Sequence, residues 1–262
     1  MKPSASSAAS ASSAVPAPSP FRRGTHPLAF VREFCRDRHT TGSVTPSSRA
    51  LARELTRAVR GAAPDAARTI LEVGPGTGSV TRHIADAMTD TDRLDLVEAN
   101  PRFADLLVHH LGDRAPLADR PTAALPSAVT PAAAAPPARL RGQTRVLTGR
   151  VEDLDLGEAR YDVVICGLPF ATTAPDTAEA ILEQLFAALR PRGRLSFFAY
   201  AGLPTLHAAV SGPARRRRLA LTRHIVRGFV TQYGVDRTLV TGNIPPAWVH
   251  HLAAEPVRRT AR

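Results

Sequence analysis

The sequence predicts an α/β fold in which a mainly parallel, doubly wound sheet is covered by helices on both faces. Two observations support this prediction. Strand-like and helix-like segments alternate along the middle of the chain, and a glycine-rich loop joins the first of these strands to the first of these helices. Hydrophobic residues make up 44% of the 262 residues, which is enough to bury a core of this kind.

Each element is predicted from its own local pattern. Short apolar runs bounded by glycine or charged residues predict strands at 68–74, 93–99, 144–149, 161–167 and 194–200, with a late strand at 237–242. Apolar residues at three- and four-residue spacing predict helices at 79–88, 101–111 and 176–190. Pro101 opens the second helix, at a position where the missing N–H of proline has no intrahelical partner to lose.

Three segments fall outside this alternation. Residues 1–20 consist of Ser, Ala and Pro with few other residues and are predicted to form a disordered tail. Residues 115–142 are rich in Ala and Pro and are predicted to be a flexible surface insertion. We expect an N-terminal helical region at 21–60, with possible contact to a membrane surface, and the main domain at 61–262.

The charge and the cysteines narrow the possible partners. The formal net charge is +11, and 33 of the 34 basic residues are arginine, which favours binding to a polyanion such as nucleic acid or an anionic membrane surface. Cys35 and Cys166 lie far apart and have no metal-ligand spacing, so we expect no metal site. Neither a signal peptide nor an apolar run of about 18 residues is recognisable, which predicts a cytoplasmic protein that does not span a membrane.

The glycine-rich loop "VGPGTGSVT" predicts a nucleotide-type cofactor site. Gly74, Gly76 and Gly78 allow the backbone to turn tightly and to approach a ligand closely. Such loops lie at the carboxyl ends of strands, where doubly wound sheets bind nucleotides. Glu98 ends the next strand, at the distance along the chain where a carboxylate accepts hydrogen bonds from ribose hydroxyls.

An acidic residue beside the loop distinguishes between two cofactors. Glu72 precedes the loop, and position 79 is serine where the nicotinamide fingerprint has its third glycine. A carboxylate would repel the pyrophosphate of a nicotinamide cofactor, whereas it suits the sulfonium and ammonium groups of S-adenosylmethionine. Glu72 in an apolar strand is costly unless it orders the loop or meets a cation, so a role in capping backbone amides remains the alternative.

The stretches "LEVGPGTGSVT" and "LVEANP" resemble the cofactor-binding half of class I methyltransferases, which implies a Rossmann-like fold and S-adenosylmethionine as the cofactor. The resemblance is closest to rRNA adenine dimethylases and to bacterial phospholipid N-methyltransferases. Many relatives carry an aspartate after the third strand that binds the adenine amino group of the cofactor. Here Arg150 stands in that place, and Glu152 and Asp153 follow as candidates, with solvated loop acids as the alternative.

The stretch "GLPF" at 167–170 bears on the acceptor. Nucleic-acid adenine methyltransferases begin this loop with Asn or Asp, which holds the target amino group, and they stack the flipped base on an aromatic ring. Gly167 has no side chain, which argues against adenine and leaves the backbone to line the cofactor or an aliphatic amine. Phe170 is a candidate pocket wall, with core packing as the alternative.

Two further segments resemble the bacterial phosphatidylethanolamine N-methyltransferases. These are "GSVTPSSR" at 42–49, which follows a basic amphipathic helix predicted at 27–38, and "NIPPA" at 243–247. Such a helix can lie in a membrane interface, although most amphipathic helices pack on their own domain. The resemblance implies a site role for Asn243. Candidates for accepting the amine proton are Tyr200, His207 and water.

The sequence therefore predicts an S-adenosylmethionine-dependent N-methyltransferase that acts on phosphatidylethanolamine-type phospholipids at an anionic membrane surface. A basic run at 215–218 is compatible with that surface or with RNA phosphates. The alternatives are an rRNA adenine N-methyltransferase, which binds RNA, and a small-molecule methyltransferase of secondary metabolism.

Overall fold

The computed structural model of the chain describes residues 47–61, 67–111, 117–118, 143–201 and 212–256. All of them belong to one compact unit, Thr45–Arg262. The predicted tail, the predicted amphipathic helix at 27–38, His207 and all but two residues of the predicted insertion lie outside these ranges.

The described residues form one sheet of eight strands, in the order β3-β4-β2-β1-β5-β6-β8-β7. The strands are β1 (Thr69–Val73), β2 (Arg93–Glu98), β3 (Leu117–Ala118), β4 (Gln143–Thr148), β5 (Tyr161–Cys166), β6 (Leu189–Tyr200), β7 (Gly234–Val240) and β8 (Ala247–Ala253). Neighbouring strands are parallel except that β8 runs antiparallel to β6 and β7. The carboxyl ends of the parallel strands therefore share one edge, the carboxyl edge, and their first residues share the opposite amino edge.

The helices in the described ranges are α1 (Arg49–Leu55), α2 (Arg57–Arg60), α3 (Thr81–Ala87), α4 (Pro101–Leu111), α5 (Pro175–Ala188) and α6 (Pro213–Tyr233). Proline opens α4, α5 and α6, where its fixed φ suits the first turn. Ser48 caps α1 because its Oγ accepts a hydrogen bond from the backbone N–H of Leu51 at 3.2 Å.

Helices α5 and α6 cover a large apolar cluster on the sheet. The apolar side of α5 packs on buried residues of β1, β5 and β6, among them Leu71, Val164 and Phe197. Aromatic rings hold α6 on α5, since Phe186 lies 5.3 Å from Phe229, measured between ring centroids. Helix α1 lies against β6, β7 and β8. Burial of these apolar faces stabilises the layers at roughly 25 cal/mol per Å² removed from water.

The sheet differs from the sequence-based prediction at its far end. The late strand predicted at 237–242 is present as β7, which begins three residues earlier and ends two residues earlier. Strand β8 was not predicted, because His250 and His251 interrupt the apolar alternation that usually indicates a strand. Strand β6 begins at Leu189 rather than at 194 and runs through the Pro-Arg-Gly segment, where Arg192 has a φ of +68°.

Within the described ranges, no helix has both the length and the hydropathy that crossing a bilayer requires.

Candidate active site

The glycine-rich loop turns at the carboxyl edge, between β1 and α3. Gly74, Gly76 and Gly78 all have left-handed backbone conformations, with φ of +72°, +56° and +78°. A side chain at any of these positions would strain the backbone, which explains the glycine spacing. The backbone N–H of Gly76 donates to Glu98 Oε2 at 2.9 Å, so the end of β2 holds the middle of the loop.

Glu98 is buried at the carboxyl edge and both of its carboxylate oxygens are engaged. Oε2 accepts from Gly76, and Oε1 accepts from the backbone N–H of Asn100 at 2.9 Å. Each carboxylate oxygen has a second lone pair, so these two bonds orient Glu98 without exhausting it as an acceptor. The predicted acceptor for the ribose hydroxyls is therefore held in a defined position.

Glu72 is a buried acidic residue in β1, two positions before the first glycine of the loop. Its side chain is 2% exposed, and its Oε2 has no hydrogen-bond partner among the described atoms. Burial raises the pKa of Glu72 to about 8, with Glu98 adding to the rise and nearby Thr81 opposing it. An orphaned buried carboxylate oxygen beside the loop suits a cationic ligand and disfavours a pyrophosphate, as expected for S-adenosylmethionine.

A cavity of about 200 Å³ opens beside the loop. Glu98 and Glu152 both line it, so the fold brings together acids from the end of β2 and from the segment after β4. Arg150 donates from its Nε to Glu152 Oε1 at 2.8 Å and lies against the same wall. Asp153 is outside the lining, with a side chain that is 69% exposed. Of the two predicted adenine-binding acids, Glu152 is the one that faces the cavity.

The loop after β5 crosses directly over the glycine-rich loop. The N–H of Gly167 donates to the carbonyl oxygen of Val73 at 2.7 Å. A Cβ atom at position 167 would lie 2.8 Å from the carbonyl oxygen of Gly74, and one at position 74 would lie 2.9 Å from Leu168 Cδ2. The backbones of the two loops therefore lie in close contact at Gly167, which explains sterically why this position is glycine. An Asn or Asp side chain does not fit here without a backbone shift.

Phe170 lies in the core below this loop. It is 4% exposed, and its ring meets the ring of Phe197 edge-on, with 5.4 Å between centroids. Pro169 and Leu168 from the same loop line the cavity, whereas Phe170 is not among the lining residues. The alternative of core packing thus describes the position of Phe170, and its predicted catalytic role stays a prediction.

Tyr200 and Asn243 also lie at the carboxyl edge, and neither is among the residues that line the cavity. Tyr200 ends β6 opposite Ala247, with its ring edge-on to Phe198 at 5.1 Å. Asn243 is 4% exposed; its Oδ1 accepts from the N–H of Ser48 at 3.0 Å and its Nδ2 donates to the carbonyl oxygen of Pro245 at 2.7 Å. Asn243 thus joins the Pro-Ser-Ser-Arg and Asn-Ile-Pro-Pro-Ala segments, and its predicted catalytic role stays a prediction.

The sequence analysis missed a polar chain inside the sheet. His251 Nδ1 is 2.8 Å from Ser196 Oγ, and its Nε2 is 3.1 Å from Glu54 Oε1 on α1. Ser196 lies in β6 and is fully buried where β6 pairs with β5 and β8. Ser196, His251 and Glu54 therefore hold α1 on the sheet and do not form a nucleophilic site. Burial lowers the pKa of His251, which favours its neutral form. The adjacent histidines His250 and His251 were the only sign of this polar chain in the sequence.

Helix α6 places a basic surface next to the cavity. Thr222 Oγ1 donates to the carbonyl oxygen of Thr173 at 3.1 Å, and Thr173 lines the cavity. The preceding turn carries the four arginines at 215–218, all with exposed side chains. Ile244, which is 74% exposed, lies in the β7–β8 loop at the same edge. The carboxyl edge thus combines a row of guanidinium groups with an exposed apolar side chain.

No group of three or more potential metal ligands occurs among the residues that the structure describes.

Comparison with known proteins supports the class of enzyme. No family model matches the chain. Its sequence is 26% identical over 164 residues to the ornithine lipid N-methyltransferase of Singulisphaera acidiphila, a match that covers 63% of this chain and 72% of that protein.

Two solved structures show the same fold. The 1,6-didemethyltoxoflavin N1-methyltransferase of Burkholderia thailandensis, solved with 1,6-didemethyltoxoflavin and S-adenosylhomocysteine, superposes with a TM-score of 0.51 at 19% identity, covering 92% of this chain and 94% of that one. A structural-genomics protein of Corynebacterium glutamicum has a TM-score of 0.51 at 14% identity, covering 91% and 94%. The predicted class I methyltransferase fold is confirmed. Fold, glycine-rich loop and sequence relative together identify an S-adenosylmethionine-dependent methyltransferase.

Proposed function

We propose that this enzyme methylates the amine of a membrane aminolipid, with phosphatidylethanolamine-type phospholipids as the acceptor class. The observation that carries the proposal is the steric limit at position 167, where a Cβ atom would lie only 2.8 Å from the carbonyl oxygen of Gly74. It leaves no room for the polar side chain with which adenine methyltransferases hold a planar amino group. An aliphatic amine needs no such side chain, because backbone carbonyl oxygens can accept its hydrogen bonds.

The surface around the cavity supports a lipid acceptor. The arginines at 215–218 lie near the cavity, and each basic residue near an anionic leaflet contributes about 1 kcal/mol of attraction. Exposed Ile244 offers an apolar side chain at the same edge, which suits a lipid interface better than a polynucleotide. The sequence relative is an ornithine lipid N-methyltransferase, which also methylates a lipid according to its name.

The described residues suggest how the chain assists the transfer. When bound, S-adenosylmethionine would supply an electrophilic methyl group for a neutral amine held in line with it. Glu72 would favour its cationic end, and Glu98 and Glu152 would accept hydrogen bonds from its nucleoside. Tyr200 ends β6 at the carboxyl edge, and the amine proton would leave to Tyr200, to His207 or to water.

The acceptor is tested by label transfer from methyl-labelled S-adenosylmethionine to three separate acceptors. The first is phosphatidylethanolamine and the second is ornithine lipid, each in vesicles containing anionic lipid. The third is deproteinised rRNA. We expect label in phosphatidylethanolamine and its loss in the Glu72→Ala variant. Label in ornithine lipid alone would identify that aminolipid, and not phosphatidylethanolamine, as the acceptor. Label in RNA alone would refute the lipid proposal and would mean that this loop holds adenine without a side-chain amide.

Vesicle binding tests the basic surface. The variant R217Q/R218Q removes two charges near the cavity, and R53Q/R93Q removes two from exposed arginines elsewhere. At about 1 kcal/mol for each charge, the first variant should bind anionic vesicles roughly 30-fold more weakly. The second should bind like the wild type. Equal weakening of both would show that net charge alone attracts the protein to the membrane.

A further inference from the structure

A second cavity lies apart from the one beside the glycine-rich loop. A space of about 560 Å³ opens at the amino edge of the sheet, on the side away from the glycine-rich loop. Its charged lining comprises Arg57, Arg68, Arg192, Arg194 and Asp162, with His251 at one wall. Four guanidinium groups thus face one carboxylate. A volume of this size falls in the range of small-molecule sites.

Two of these arginines are neutralised by carboxylates. Arg57 Nη2 lies 2.7 Å from Asp236 Oδ2, and its Nη1 lies 3.1 Å from Glu54 Oε1. Arg68 is buried and donates from its Nε to Asp92 Oδ1 at 3.0 Å. Both sets of ion pairs belong to the framework of the fold. Arg57 joins the start of α2 to α1 and β7, and Arg68, just before β1, is joined to Asp92, just before β2. Their guanidinium groups are not available as free binding groups.

The remaining two arginines have no such partner. Asp162 is occupied, because its Oδ2 accepts from Arg190 Nη1 at 2.7 Å and from the N–H of Thr69 at 2.8 Å. Within the described ranges, Arg192 and Arg194 form neither an ion pair nor a side-chain hydrogen bond. Both side chains are exposed and line the cavity. The cavity therefore carries two uncompensated positive charges.

The guanidinium groups of Arg192 and Arg194 determine the chemical class of ligand that this cavity suits. Each presents a planar set of N–H donors that matches the oxygens of a phosphoryl group in a bidentate arrangement. Asp162, the carboxylate in this lining, is paired with Arg190. Burial lowers the pKa of His251, which favours its neutral form and keeps this wall from adding a third charge. Two uncompensated guanidinium groups in one lining can share the several oxygens of a phosphoryl group, so the cavity suits a phosphorylated anion.

The amino-edge cavity is separate from the methyl-transfer site. Arg194 lies near the start of the paired part of β6 and Tyr200 at its end. Six residues of strand span about 20 Å, so the phosphate and the amine of one lipid headgroup cannot occupy both places. We propose that the cavity lined by Arg192 and Arg194 is a second ligand site, which binds the phosphoryl group of a small molecule or of a lipid other than the methyl acceptor.

Calorimetric titration of the full-length protein tests this site, at about physiological salt so that loose ion attraction is screened. The probes are inorganic pyrophosphate and, separately, dihexanoyl phosphatidic acid as a monomer. We expect saturable binding of one probe molecule, weakened at least tenfold in Arg192→Gln and in Arg194→Gln. Arg93→Gln is the matched control, because Arg93 is an exposed arginine at the same edge that does not line the cavity.

The outcomes separate this proposal from the proposed function. Binding of pyrophosphate identifies a soluble phosphorylated ligand, and binding of phosphatidic acid alone identifies a lipid source. Absence of saturable binding to either probe, or equal weakening in Arg93→Gln, would overturn the proposal. The Glu72→Ala variant should lose methyl transfer and keep probe binding, so that failure at one site is distinguishable from failure at the other.

Discussion

Glu72 makes a quantitative prediction about stability and pH. Burial raises its pKa from 4.5 to about 8, so the folded protein holds a proton that the unfolded chain releases between these values. Stability is therefore full below pH 4.5 and falls as the pH rises toward 8. At about 1.4 kcal/mol for each tenfold change, the total loss is on the order of 5 kcal/mol, and about 2–3 kcal/mol of it falls between pH 6 and 8.

The assay is urea unfolding of cofactor-free protein at a series of pH values, for the wild type and for Glu72→Gln. The glutamine is neutral at every pH and has nearly the shape of the protonated acid, so the variant should lack this part of the pH dependence. The difference in the free energy of unfolding between the two proteins should grow in favour of the variant as the pH rises. Parallel pH profiles would refute the reasoning.

Cofactor binding gives an independent measure of the protonation state of Glu72. The ammonium and sulfonium of S-adenosylmethionine favour ionised Glu72, so binding at pH 7 should release about one proton. Calorimetry in two buffers of different ionisation enthalpy measures that proton, and Glu72→Gln should release none at this site. Proton release that is equal in both proteins would assign the linkage to another group.

Three further substitutions test packing that the structure describes. Gly167→Ala should lower the free energy of unfolding by about 1–3 kcal/mol and weaken cofactor binding, because its Cβ would meet backbone at 2.8 Å; urea unfolding and calorimetry measure both. Asn243→Ala should cost about 1–3 kcal/mol in urea unfolding, because it leaves the N–H of Ser48 without its acceptor. Asp92→Asn should cost about 3–5 kcal/mol in the same assay, because a buried guanidinium loses its counter-charge.

Matched variants control two of these predictions. Gly228→Ala places a methyl group in open space inside α6 and should stabilise the helix by roughly 0.5–1 kcal/mol, opposite in sign to Gly167→Ala. Glu152→Gln weakens an ion pair with a largely exposed arginine and should change stability by less than about 1 kcal/mol, unlike Asp92→Asn. Equal effects within either pair would show that burial does not determine the cost.

The central elements of the fold were accessible from local patterns. Strand, loop and helix between residues 69 and 87 follow from apolar spacing and from three glycines, because left-handed backbone conformations select glycine whatever surrounds them. Glu98 was likewise placed by its distance along the chain from the loop. Strand β8 escaped prediction because His251 is buried only through its partners Ser196 and Glu54, which lie far away in the sequence.

The sequence by itself thus determined the α/β class, the glycine-rich loop and the positions of the acids near it, since each depends on residues near one another in the chain. Only the tertiary structure decided what Gly167 and Asn243 do. Gly167 is a glycine because another loop's backbone passes 2.8 Å from where its Cβ would lie, and Asn243 binds Ser48 across 195 residues of chain. Contacts of this range depend on how whole elements pack, and no local pattern of residue types encodes them.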